Sequence, residues 1–181
     1  MRKILRQKRG DVLVMTLLCV ILFAVVLSSI INITLGIHYK NTLKNALNRA
    51  VIAASNQYTP EDIVESGSVV YMKINTDMAI ETFRRVFAAN FNLDPDTLAP
   101  LPGSVLKEAP EVFFKVYNHD PTQPSIVRPS PGEIPSSITT ESPTVIIYRP
   151  TVVAVAKIKY TTLAGSKVDV RAFASSQLNL E

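Results

Sequence analysis

Hydrophobic positions along the chain fall into three successive patterns. Residues 12–37 form a run of 26 without a charge, 17 of them Val, Leu, Ile or Phe. From residue 38 the pattern becomes amphipathic. Leu43, Ala46, Leu47, Ala50, Val51 and Ala54 recur at three- and four-residue spacing, and Lys40, Asn41, Lys44, Asn45, Asn48 and Arg49 fill the other side. No proline precedes Pro60, and Gly36 is the only glycine between Gly10 and that proline. The spacing predicts one continuous helix over about residues 12–57, roughly 69 Å long at ~1.5 Å per residue. Small alanines on its apolar stripe suit close approach to a sheet, or to neighbouring copies of the helix.

Past the helix the signals are short. Thr59-Pro60-Glu61-Asp62 has the form of a helix start, with a capping hydroxyl, proline in first position and acids at the positive dipole end, opening a short turn before Gly67. Val69–Met72 reads as a strand. Asn75 or Thr76 caps a second helix over about 77–90, with Ala79, Ile80, Phe83, Val86 and Phe87 on its apolar face, and Leu93-Asp94-Pro95 ends it. Eleven of the twelve prolines then fall between Pro95 and Pro150. Glu111–Tyr117 is a strand, and residues 120–143, with six prolines and five serines, read as an exposed loop. Residues 145–160 are β-rich but broken by Pro150, which predicts two strands or one kinked edge strand. Residues 151–176 read as a β-hairpin turning at Leu163-Ala164-Gly165-Ser166, with Lys159 opposite Asp169 on its wet side. The expected fold class is α+β: a long N-terminal transmembrane helix continuing into an amphipathic helix, then a small mixed domain with an antiparallel sheet and a C-terminal β-hairpin.

Charge sharpens the first pattern. The chain has 181 residues and a formal charge of +4. Five cations (Arg2, Lys3, Arg6, Lys8 and Arg9) precede the apolar run, whereas residues 38–181 carry fourteen basic and fourteen acidic groups. A nucleic-acid binder spreads its basic surface over the folded part, which here is neutral, so no nucleic-acid partner is expected. A helix of 26 residues spans ~39 Å, more than a hydrocarbon core of ~30 Å. Ser28, Ser29, Asn32 and Thr34 suit the far interface, or bonding to a partner helix. The run is too long for a cleaved signal and ends in Leu35-Gly36-Ile37 without a small-x-small site. Leu18 before Cys19 excludes a lipoprotein signal, and Cys19 reads as a packing residue. The positive-inside rule then places residues 1–11 in the cytoplasm as a basic tip, 12–37 across the bilayer, 38–58 as an amphipathic extension and 59–181 as an extracytoplasmic domain. The localisation expected is the cell membrane, single-pass.

Reactive chemistry is sparse. One cysteine closes no internal disulfide, and two histidines 81 positions apart, His38 and His119, offer little to a metal. No phosphate loop, Gly-x-Ser-x-Gly, Cys-x-x-Cys or His-x-x-x-His occurs. His119-Asp120 could orient an imidazole, but within a turn-like segment it does not make a site. No catalytic residue, cofactor, metal or small-molecule substrate is expected.

Arg9-Gly10 before a long apolar helix, then Leu43-Lys44-Asn45-Ala46-Leu47-Asn48-Arg49-Ala50 running into Ala53-Ala54-Ser55, resembles the N-terminal region of the TadE/TadG-like proteins of tight-adherence (Flp-type) pilus assembly. The segment Pro150-Thr151-Val152-Val153-Ala154-Val155-Ala156, with its partner 168–175, is similar to that family's closing hairpin. The resemblance covers about 60 residues at one end and 30 at the other. It implies a bacterial membrane-anchored pseudopilin-like protein that helps build or tether an extracellular fibre. Prepilin-like members are cut after glycine and carry glutamate at the fifth mature position. Were Gly10 that glycine, Met15 would stand there, which favours an unprocessed anchor.

The function expected is a non-enzymatic, membrane-anchored structural or assembly component of a pilus-like or secretion apparatus. Its partners would be the lipid bilayer and other subunits, or a second copy of itself, met through the helix stripe Leu43, Ala46, Leu47, Ala50, Val51 and Ala54. The alternatives are a tethered extracytoplasmic ligand-binding or sensing module, which needs a concave polar pocket, and a tethered hydrolase, which needs a nucleophile and base.

Overall fold

The computed structural model describes residues 2–66, 69–141 and 143–178, with side chains from Asp11 onward except those of Ser66 and Val69. One helix, α1 (Arg2–Ser55), runs unbroken for 54 residues. It begins ten residues earlier than the apolar run, because nothing in the basic tip breaks a helix. Gln57 then caps its end by donating to the Ala53 carbonyl from its side chain.

The domain is built on the last third of α1. A second helix, α2 (Thr76–Phe91), starts where Asn75 accepts a hydrogen bond from the Met78 N–H and stops at Asn92, whose left-handed backbone (φ 53°) ends the spiral. Its buried face is Ala79, Phe83, Phe87, Ala88 and Phe91. Ile80 and Val86, placed on that face by the spacing, are only half-buried. Asn118 fixes the start of α2 to the sheet by accepting from the Ile74 N–H and donating to the Ile74 carbonyl, both at 2.8 Å.

A three-stranded antiparallel sheet faces these helices. Numbering strands in chain order, β1 (Ile63–Ser66) and β2 (Val69–Met72) pair with each other, and so do β4 (Ile126–Arg128) and β5 (Val145–Ile147). The main sheet has the order β3-β6-β7, from β3 (Glu111–Tyr117), β6 (Thr151–Thr161) and β7 (Lys167–Gln177). Strand β6 is therefore central. Pro150 lies just before it, where a missing N–H breaks no ladder bond, and separates it from β5. The hairpin register sets Lys159 opposite Asp169 as expected. Their ion pairs go elsewhere, however, Lys159 to Glu108 at 3.4 Å and Asp169 to Arg171 at 3.7 Å.

Alternation along β6 makes a domain of three layers. Val152, Ala154, Ala156, Ile158 and Tyr160 join the core beneath α1 and α2. Val153 packs with Tyr117 and Ile147, and Val155 with Ile134 and Ile138, on the opposite face. The proline-rich stretch 120–143 is thus not simply an exposed loop: it contributes β4 and two buried isoleucines that cover the sheet's second face. Lys157, on that covered face, is buried and reaches Glu111 at 2.6 Å.

The capping segment forms the short turn expected of it, with Pro60 in the first turn and Thr59 and Asp62 capping each other. Thr59-Pro60-Glu61-Asp62 forms a single 3-10 turn, η1 (Pro60–Asp62), and the chain continues directly into β1. The Asp62 carboxylate accepts from the Thr59 N–H (2.7 Å) and hydroxyl (2.8 Å), and these bonds hold its pKa below the ordinary value. Gly67 lies outside the described residues.

Candidate membrane anchor and helix interface

The large apolar side chains across residues 12–30 stand 46–69 % exposed, on every side of α1. By length and composition this helix can cross a membrane. Its polar residues are accommodated in two ways. Thr16, Ser29 and Thr34 donate to the carbonyls of Val12, Val25 and Ile30, one turn back, at 2.8–2.9 Å. Such back-bonding satisfies the hydroxyl inside the helix, so Ser29 and Thr34 need no partner helix. Asn32 instead accepts from the Leu163 N–H at the tip of the β6–β7 hairpin, at 3.1 Å.

Contact with the domain therefore begins inside the uncharged run. A Cβ at Gly36 would lie 3.0 Å from the Tyr160 hydroxyl oxygen, so glycine allows the hairpin to close on the helix there. One turn on, the Tyr39 and Tyr160 rings stack at 4.9 Å. The helix end is tied by Ser55 and Ser176, whose hydroxyls lie 2.9 Å apart.

Leu43, Ala46, Leu47, Ala50, Val51 and Ala54 are 0–2 % exposed and belong to the domain's own core, against β6, β7 and α2. As folded, this stripe is not open to another subunit. Alanines on the helix share one core cluster with Ala154, Ala156 and Ala174 on the sheet, and small side chains of this kind let two backbones come close. What remains uncovered on this part of α1 is its outer side, with Asn41, Lys44, Asn45, Arg49 and Ile52. Periodicity located the stripe correctly, but periodicity alone does not distinguish a helix facing its own sheet from one facing a neighbour. Arg2, Lys3, Arg6, Lys8 and Arg9 lie on the first turns of α1, and their side chains lie outside the described residues.

Elsewhere the charged groups tie the layers together. Glu133 accepts from Lys115 Nζ (2.6 Å), the Tyr117 hydroxyl (2.8 Å) and the Ser130 N–H (2.7 Å). Burial acts to raise the Glu133 pKa, but these bonds overcome it and hold the group at about 2. Tyr117 is pushed up, first by burial and then by donating to Glu133. Sequence reading missed this cluster, since nothing local links position 133 to 115 and 117.

His119 Nε2 is buried and has no hydrogen-bond partner among the described residues. Asp120 Oδ1 accepts from the Thr122 N–H and hydroxyl. An open cleft of about 340 Å³ between α2 and the following loop is lined by Asp77, Glu81, Arg84, Arg85 and Asp96, a mixture of both charge signs. No group of three or more metal-ligating side chains occurs among the described residues.

No family model, no curated protein and no solved structure matches this chain.

Proposed function

We propose that this chain is a single-pass membrane protein of the TadE/TadG-like kind, a non-enzymatic structural or assembly component of a pilus-like or secretion apparatus. Residues 12–37 cross the bilayer. The five cations before them stay in the cytoplasm, and the domain that follows lies outside the cell membrane. One observation carries the reading. The same unbroken helix that is uncovered and apolar across residues 12–30 supplies the centre of the domain's core from Leu43 to Ala54.

Anchor and head are then one body with no linker between them. Such a body transmits position and orientation, as a subunit held in the membrane until assembly requires. Because the alanine stripe is consumed by the head, partner subunits meet α1 through its apolar membrane segment and through the outer side marked by Asn45 and Ile52, which is 54 % exposed.

Crosslinking tests this in intact cells. A photo-reactive residue at Asn45 should capture a defined partner subunit or a second copy of the chain, whereas one at buried Ala50 should capture only the chain itself. Failure of Asn45, and of a second probe at Ile52, to capture any partner would count decisively against an assembly role.

A further inference from the structure

The tip of the β6–β7 hairpin reaches back along α1 to a level set by Asn32, through the Leu163 N–H bond. Asn32 is twenty residues beyond Val12, which at ~1.5 Å per residue is ~30 Å, the thickness of a hydrocarbon core. With the hydrocarbon core starting at Val12, within the proposed span 12–37 on which this inference rests, the tip is level with the core's outer edge.

We infer that the hairpin tip seats on the outer surface of the bilayer, giving the head a second membrane contact beside its own anchor. The seven residues 160–166, Tyr-Thr-Thr-Leu-Ala-Gly-Ser, carry no charge. Leu163, 61 % exposed, projects from the turn closed by the Gly165 N–H to the Thr162 carbonyl (3.0 Å). Tyr39 and Tyr160 stack about two turns of α1 further on, on the water side of that edge, where aromatic side chains with one apolar and one wet end are favoured. On the head side of the tip, Lys159 and Lys167 both pair with Glu108, leaving one net positive charge where phospholipid headgroups would lie. Lys167 keeps 64 % of its side chain exposed even while paired with Glu108, so its stem lies along the surface.

Away from the uncharged turn that carries Leu163, the register brings Lys167, then Tyr160, then Lys159, so the apolar tip lies deepest and the polar and aromatic groups follow towards the headgroups. Two points of contact fix the tilt of the head, which a helix alone leaves free to rotate about its axis.

The test uses the full chain reconstituted into phosphatidylcholine vesicles. An environment-sensitive fluorophore is placed at Leu163→Cys in a Cys19→Ser background, with Ile146→Cys, at the far end of the head, as the water-exposed reference and native Cys19 as the reference within the span. Leu163→Cys should be quenched by nitroxide lipids labelled high on the acyl chain and should show several-fold weaker iodide quenching than Ile146→Cys. Iodide quenching equal to that of Ile146→Cys, with Cys19 still quenched by lipid, overturns the tip contact and leaves the anchor standing. Shielding from iodide without lipid quenching means that protein covers the tip, and also overturns it. If Cys19 itself escapes lipid quenching, the anchor reading fails and takes the tip contact with it.

Discussion

The ring of Tyr160, near the end of β6, lies against that of Tyr39 on α1, with centroids 4.9 Å apart and planes 19° from parallel. This pair joins the sheet to the helix just above the uncharged run. Stacked aromatic pairs contribute about 0.5–1.5 kcal/mol beyond their buried area. A double-mutant cycle with Tyr39→Ala and Tyr160→Ala should return a coupling of that size in denaturant unfolding of the micelle-held chain. Simple additivity would mean that the rings do not hold the hairpin.

Gly36 should resist replacement by larger residues. Alanine gains about 0.8–1 kcal/mol in helix propensity, which offsets its contact with the Tyr160 hydroxyl, so Gly36→Ala should change stability little. Gly36→Val adds branched bulk at a position already 3.0 Å from that oxygen and should cost about 1–3 kcal/mol as overpacking. Hydrogen exchange would locate the damage: the Leu163 amide should lose protection in the valine variant. Unchanged protection would show that the hairpin does not depend on close approach at Gly36.

Ala50 separates core packing from subunit contact. At 0 % exposure beneath the sheet, it has no room for leucine, and Ala50→Leu should destabilise the head by about 1–3 kcal/mol or more. Thermal unfolding of the purified chain reads this directly. A head of unchanged stability, with assembly lost in cells, would instead make the stripe an inter-subunit face.

Glu133 should give the head an acid-sensitive edge. Its folded pKa of about 2 lies below the ordinary carboxyl value of 4.5, so the folded state binds its proton less readily than the unfolded chain. The resulting stabilisation is fully present above about pH 5 and fades as pH falls through 4.5 towards 2. Glu133→Gln keeps the size of the side chain but loses the charge-assisted bonds to Lys115 and Ser130, and should cost about 1–3 kcal/mol near neutrality. The difference between the two chains in urea unfolding should shrink on acidification. A constant difference at every pH would exclude the carboxylate as its cause.

What the sequence revealed was mostly local. The length of α1 followed from the absence of breakers before Pro60, the start of α2 from Asn75, and the register of the last hairpin from the alternation around Lys159 and Asp169. Tertiary pairing was less accessible. Pro150 suggested two strands or one kinked edge strand, and it does divide β5 from β6. Nothing local showed that β3 pairs with β6 across some forty residues and makes it central, from Glu111 opposite Lys157 to Tyr117 opposite Thr151. Ile134 and Ile138 are single apolar residues among prolines and serines, so no period marks them as the cover of Val155. The stripe on α1 was fully legible, but its target was not, because the same alanines suit a sheet and a neighbouring helix equally. Asn32 and Gly36 could be noticed only as exceptions in an apolar run until Leu163 and Tyr160 were found against them.

One helix crossing the bilayer would leave the head, with Ile146, outside the cell. Labelling Ile146→Cys, in a Cys19→Ser background, with a membrane-impermeant maleimide before and after cell lysis tests it directly. The expected result is full labelling of intact cells, on protein that stays in the membrane pellet after alkaline carbonate washing. Labelling only after lysis, or release of the chain into the carbonate supernatant, would contradict it.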